Sequence, residues 1–223
     1  MRPNRCALVA FKLFFGLLGF SAVVTEIATL VERGVFNPVN FFSYFTIQNN
    51  VLVLATLILS AIAVASGTND RLDTWRAAVT AYILVVGIGF SVLLANLEGQ
   101  VLTAVPWDNT VLHYLMPMVM LVDYLIDRPR RRIPFRSGLR WLIYPVAYVG
   151  YSLIRGAVTD WYPYPFLDPA TNGYTSVAVT VLGLLVLTLA LIWAVTWLSG
   201  RTPHRNAQTT SQPRSESPSA ASH

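Results

Sequence analysis

Apolar residues along this chain fall into six long runs parted by short polar stretches, at residues 7–31, 42–66, 76–97, 111–126, 141–158 and 174–198. Several runs approach or exceed the ~20 residues that a helix needs to cross a bilayer. In hydrocarbon every backbone polar group must be satisfied within the protein, so such runs read as α-helices. The expected fold is all-α: a six-transmembrane-helix bundle over residues 1–200. Residues 201–223 are rich in Ser, Thr and Pro with little apolar content, which predicts a disordered tail. The first run follows Arg2 and Arg5 as the core of a signal peptide would. It is too long for one and has no clear small-residue cleavage site, so it reads as a retained helix.

Charge sets the orientation. Only 12% of the 223 residues are charged, against about a quarter in a soluble domain. The net charge of +5 suits nucleic acid in principle, but its distribution argues for topology instead. With six crossings and the termini inside, Arg2, Arg5, Lys12, Arg71, Arg76, Arg201, Arg205 and Arg214 are cytoplasmic. So is the cluster Arg128, Arg130, Arg131, Arg132, Arg136 and Arg140, which leaves Arg33 and Arg155 outside. That asymmetry follows the positive-inside rule. The cluster at 128–140 is expected to attract anionic lipid, not nucleic acid. Trp107, Trp161, Tyr162 and Tyr164 fit an outer aromatic belt. A single cysteine, Cys6, excludes an internal disulfide and cysteine-rich metal sites.

Polar residues at membrane depth are the candidates for chemistry, because they are costly there unless paired or placed in a cavity. They are densest in residues 37–50, which bring Ser43, Thr46, Gln48, Asn49 and Asn50 to the mouth of the second run. Residues three and four apart align on a helix, so Ser43, Thr46 and Asn50 are expected on one face. His113 is the one histidine in a run, since His204 and His223 lie in the tail. Pro117 cannot donate to the carbonyl four residues back, so His113 is expected at a kink with a free acceptor. At ~1.5 Å per residue, Thr46 and His113 fall at similar depth below the outer face. Thr46 serves as a nucleophile if an imidazole takes its proton. Alternatively it bonds its own helix carbonyl, as membrane threonines commonly do. Gln48, Asn49 and Asn50 are candidate oxyanion donors or interhelical glue. Glu26, Asn96, Glu98 and Arg155 sit near outer helix ends and are candidates to orient His113 or bind a carboxylate; a Glu26–Arg155 pair is one arrangement. Asp123 and Asp127, on the cytoplasmic half, are expected to pair with a nearby arginine. Asn109 or Thr110 is the expected cap of the fourth helix.

Other chemistries lack their residues. The chain has no G-x-S-x-G, H-E-x-x-H or G-x-x-x-x-G-K-[ST] pattern. Gly89-Phe90-Ser91 would suit an intramembrane serine protease only with a histidine in a later core helix, and the sixth run has none. A transmembrane bis-histidine haem needs two histidines in the runs.

At Asn37-Pro38, Phe45-Thr46-x-Gln48-Asn49-Asn50, His113-x-x-x-Pro117, Asp123 and Tyr144-Pro145-x-x-Tyr148, the chain resembles the bacterial membrane family nicknamed Pr-six-Pr. That family is similar to the eukaryotic androgen-induced gene 1 family, also called FAR-17a. The resemblance spans roughly residues 11–197. It implies a six-helix threonine hydrolase of lipid esters of the fatty acid–hydroxy fatty acid type. Thr46 would be the nucleophile and His113 the base, with no metal or cofactor, in a bacterial plasma membrane. The surrounding residues differ, so Ser43 stands as a rival nucleophile. The alternative is a non-enzymatic lipid- or solute-binding transporter, or a structural membrane protein, using the same polar residues. In the transporter case Glu26, His113 and Asp123 would relay protons.

Overall fold

In the computed structural model, which describes residues 4–68, 72–95 and 105–201, the described chain is helical throughout and contains no strand. Helix α1 (Arg5–Glu32) starts at Asn4, whose side chain accepts the Cys6 N–H at 3.1 Å. A short α2 (Pro38–Phe41) starts the same way at Asn37, with proline in its first turn. Helix α3 (Phe45–Ser66) ends at Gly67 in the left-handed conformation (φ 77°), which only glycine adopts without strain. Helix α4 (Asp73–Leu93) follows. The next span is built of α5 (Pro106–Thr110), a π-turn at Val111–Leu115 and α6 (Met116–Ile126). A short α7 (Phe135–Gly138) and a 3₁₀ turn at Leu139–Leu142 lead into α8 (Ile143–Thr159). Asp168 caps α9 (Pro169–Ser199), which bends at Gly173.

The outside of the molecule is apolar and much of its polarity is inside. Leu13, Phe14, Leu17 and Phe20 of α1 and Val179, Leu182 and Val186 of α9 are exposed, while Lys12, Glu26, Arg76 and Asp123 are buried. That inversion suits lipid as the surrounding solvent. Five helical stretches are long and apolar enough to cross a membrane: Arg5–Glu32, Phe45–Ser66, Asp73–Leu93, Pro106–Ile126 and Pro169–Ser199. This is a multi-pass membrane protein. The sixth expected span, at 141–158, corresponds to α8, which has 17 residues and falls outside that set. Helices α3 and α4 form the centre; α4 packs against α3, α6 and α9, and α1 lies along α3.

Three sequence expectations change. Helix α3 begins at Phe45, because the chain turns at Phe42–Tyr44 after α2, so Ser43 does not share a helix face with Thr46. The fourth helix begins at Pro106, so Asn109 and Thr110 lie inside it and do not cap it. The kink at His113-x-x-x-Pro117 takes the form of a π-turn, in which the Met116 N–H reaches Val111 O. Helix α4 presses against this turn through Gly87. A Cβ there would fall 3.0 Å from Pro117 and 3.2 Å from the His113 carbonyl oxygen.

Candidate functional site

Helices α3, α4, α8 and α9 line a half-open cavity of about 280 Å³, bordered by the loop that joins α8 to α9. Its walls include Val85, Val86 and Phe90 from α4 and Val181, Leu184 and Leu185 from α9. None of its lining residues is charged, and Thr46, Tyr148, Tyr164 and Thr188 supply its hydroxyls.

Those hydroxyls are held by the start of α3. A helix leaves its first amides without internal acceptors. Here tyrosines from other elements supply them: Phe45 N–H donates to Tyr148 Oη at 3.2 Å and Thr46 N–H to Tyr164 Oη at 3.1 Å. Tyr148 then donates to the Ser43 carbonyl at 3.0 Å. The Thr46 and Tyr164 hydroxyls lie 3.2 Å apart, so one donates to the other. Burial is the largest influence on the Tyr164 phenol and raises its pKa, against the opposing pull of the bonds it accepts. It is therefore protonated at neutral pH and is no base for Thr46. The neighbouring Tyr44 phenol is pushed up to about 12, by burial and then by Tyr164.

Helix α8 attaches to this site through a polar row. Tyr144, Tyr148, Tyr151 and Arg155 are spaced by four, three and four residues and share one face. Tyr144 donates to Gln48 Oε1 at 2.9 Å, Tyr151 pairs with Ser43 Oγ at 2.8 Å and Arg155 donates to Asn40 Oδ1 at 2.6 Å. Ser43 Oγ also bonds the Val39 carbonyl at 2.6 Å, and Gln48 Nε2 bonds the Phe42 carbonyl at 2.9 Å. Ser43 and Gln48 thus fasten α8. Tyr144 and Tyr148 belong to the stretch that resembles a family and Tyr164 to the expected aromatic belt, while Tyr151 carries no sequence expectation; the one-face spacing of Tyr144, Tyr148 and Tyr151 is the signal that ties them together.

His113 is close to this site without entering it. Its Nδ1 lies 3.1 Å from Asn109 O, and since a carbonyl only accepts, Nδ1 carries the proton and Nε2 the lone pair. Its ring stacks on Phe90 at 3.8 Å, and Phe90 lines the cavity while His113 does not. No hydrogen bond joins His113 to Thr46. Asn50 links their neighbourhoods instead, donating to Thr46 O at 2.9 Å and to Leu112 O at 3.2 Å. Asn49 donates to Phe45 O at 2.8 Å and to Tyr144 Oη at 3.5 Å. The amide donors of both asparagines are committed to protein acceptors, which leaves them poorly suited as oxyanion donors.

The remaining candidates separate. Arg155 lies over Trp161 at 4.4 Å and bonds Asn40, so it does not pair with Glu26. Glu26 and Asp108 are both fully buried, on α1 and α5, which pack against each other. Asn96 and Glu98 lie outside the described residues.

A second polar centre lies between α1, α4 and α6. Fully buried Lys12 contacts the Asp123 carboxylate and lies 3.2 Å from that of Asp127. Arg76, 1% exposed, reaches Asp123 at 2.9 Å, Asp127 at 3.2 Å and Asp73 at 3.4 Å. Asp73 also accepts the Arg130 N–H at 2.6 Å. The nearby arginine expected for Asp123 is Arg76, and Lys12, expected only as one of the cytoplasmic charges, is its second partner. His113 and Asp123 have separate partners, Asn109 and Phe90 for the first and Lys12 and Arg76 for the second. No group of three or more His, Cys, Asp or Glu that would hold a metal occurs among the described residues.

No family model matches the chain. No curated protein and no solved structure matches it either.

Proposed function

We propose that this protein binds a lipid acyl chain within the membrane, in the cavity between α3, α4, α8 and α9. The observation that carries this reading is the cavity itself. Its volume is about 280 Å³, its walls are uncharged, and its hydroxyls include the Thr46–Tyr164 pair. Ligand sites are typically apolar with a few polar groups that fix orientation, at ~300–1,000 Å³. A cavity just below the low end of that range suits one chain better than a whole phospholipid. The reading takes α8 as a sixth span, continued by the 3₁₀ turn before it, with both termini cytoplasmic.

The test is photocrosslinking with a diazirine-bearing fatty acyl ester, mapped by mass spectrometry. Adducts are expected on Val86, Leu184 and Leu185, and are lost in Gly89→Phe or Leu185→Trp. Adducts confined to the outward residues Phe14 and Leu182 would overturn the reading.

Hydrolysis of a lipid ester is the second reading, favoured by the position of Thr46 on the cavity wall. Thr46 Oγ1 would attack the ester carbonyl while His113 Nε2 takes its proton and passes it to the leaving alkoxide. Water would then release the acyl group from Thr46. General base catalysis of this kind contributes about 10²–10⁴-fold. The stacked Phe90 ring must first move aside to bring the imidazole to the cavity. Purified protein should then hydrolyse the ester and react with a fluorophosphonate probe, both lost in Thr46→Ala and His113→Ala. Labelling that persists in both variants removes this reading and leaves the binding reading intact.

A further inference from the structure

The inner end of α9 and the arginine-rich loop build one site. Ile133 N–H donates to Ser199 Oγ at 2.9 Å, which fastens the loop to the last turn of α9. Helix α7 closes on the same helix, since a Cβ on Gly138 would fall 2.7 Å from Ile192 and 3.1 Å from Thr196. This packing lays the Arg132 side chain beside Gly200, its Nε 3.4 Å from where a Cβ would stand. The next residue, Arg201, holds its guanidinium 3.5 Å over the Trp197 ring. Trp197 in turn stacks on Trp193, centroids 5.8 Å apart, and the two indoles are 45% and 55% exposed on the lipid-facing side of α9.

The described acids of the neighbouring ion network are engaged elsewhere. Asp123 and Asp127 face Lys12 and Arg76, and Asp73 faces Arg76 and the Arg130 N–H. Neither Arg132 nor Arg201 forms an ion pair with a described residue, and both are exposed. Two guanidinium forks with uncommitted donors therefore stand at one helix end, next to a ladder of indoles. Guanidinium matches phosphate oxygens in geometry and charge, and indoles favour the headgroup level of a bilayer.

We propose that this notch binds one anionic phospholipid. Arg132 and Arg201 hold its phosphate, and its chains lie along the Trp193–Trp197 face of α9. Arg128, Arg130, Arg131, Arg136 and Arg140 add only the diffuse attraction that any basic loop has for an anionic surface. Phosphatidylcholine carries the same phosphate but brings a quaternary ammonium against the arginines. Free phosphate lacks the chains that cover the indoles.

Native mass spectrometry of the full chain, released from micelles containing phosphatidylglycerol or phosphatidylcholine, tests this. A single phosphatidylglycerol adduct is expected at about tenfold lower lipid concentration than phosphatidylcholine requires. Arg132→Gln with Arg201→Gln should weaken it by about tenfold, while Arg131→Gln with Arg140→Gln, an equal loss of charge that removes only diffuse attraction, should weaken it clearly less. Arg201→Lys, which keeps the charge and loses the fork, should fall between. Equal weakening in the two double variants would reduce the site to diffuse attraction and overturn the proposal. Equal binding of the two lipids would also overturn it, as would full displacement by inorganic phosphate.

Discussion

Tyr164 decides more of the local chemistry than any residue in the polar stretch before it. Its hydroxyl accepts an α3 amide and meets Thr46 Oγ1 on the wall of the cavity. Tyr164→Phe leaves the buried Thr46 N–H without an acceptor, a loss of about 1–3 kcal/mol. The expected result is a lower thermal midpoint in detergent; an unchanged midpoint would contradict the capping role. The phenol also sets a pH limit. Its folded pKa is raised by burial above an unfolded value of about 10. The neutral form is the one that folding favours. Its contribution is complete below about pH 10 and lost as pH climbs through the folded value. Stability should therefore fall on the alkaline side, and Tyr164→Phe should flatten part of that fall in a pH series of melting curves.

Among the elements, the π-turn before Pro117 and the start of α3 show how backbone needs shape the site. Proline removes a donor, the turn widens, and α4 comes close enough to touch the His113 carbonyl because residue 87 has no side chain. Gly87→Val should cost about 1–3 kcal/mol by overpacking and shift Phe90, which stands one turn further along α4. A loss of stability without any change in cavity crosslinking would break the link between this contact and the pocket. The polar row of α8 was legible in outline. Its 4-3-4 spacing marks a face, but that the face would meet Ser43, Gln48 and Asn40 depends on helix adjacency, which periodicity does not encode.

Across the molecule, the Lys12–Arg76–Asp123 centre ties α1, α4 and α6 together. Breaking one partner of a buried ion network typically costs about 3–5 kcal/mol, because the other charge is left unpaired. Lys12→Met alone should be severe, and adding Asp123→Asn should recover much of the loss in a denaturation series. Simple additivity of the two effects would show that the residues act independently. Topology has its own test. If α8 crosses the membrane, Cys6 and a cysteine at Arg136 should label from the same side in intact cells. A cysteine at Trp161, in a chain with Cys6→Ser, should label from the other. Labelling of Arg136 and Trp161 positions from one side would remove α8 as a span.

Hydrophobic runs by themselves determined that the chain is helical and lives in a membrane, because length and apolarity are local properties and lipid leaves the backbone few alternatives. They also placed most helix positions to within a few residues. Local sequence was enough to mark Thr46 and His113 as unusual at their depth. It did not determine who their partners are. Tertiary structure gave Thr46 to Tyr164 and put His113 against Phe90. It gave Arg155 to Asn40 and Trp161, and set Lys12, counted with the cytoplasmic charges, in a buried ion network. Hydrogen bonds and ion pairs between helices depend on which faces meet, and that is settled by packing the whole bundle.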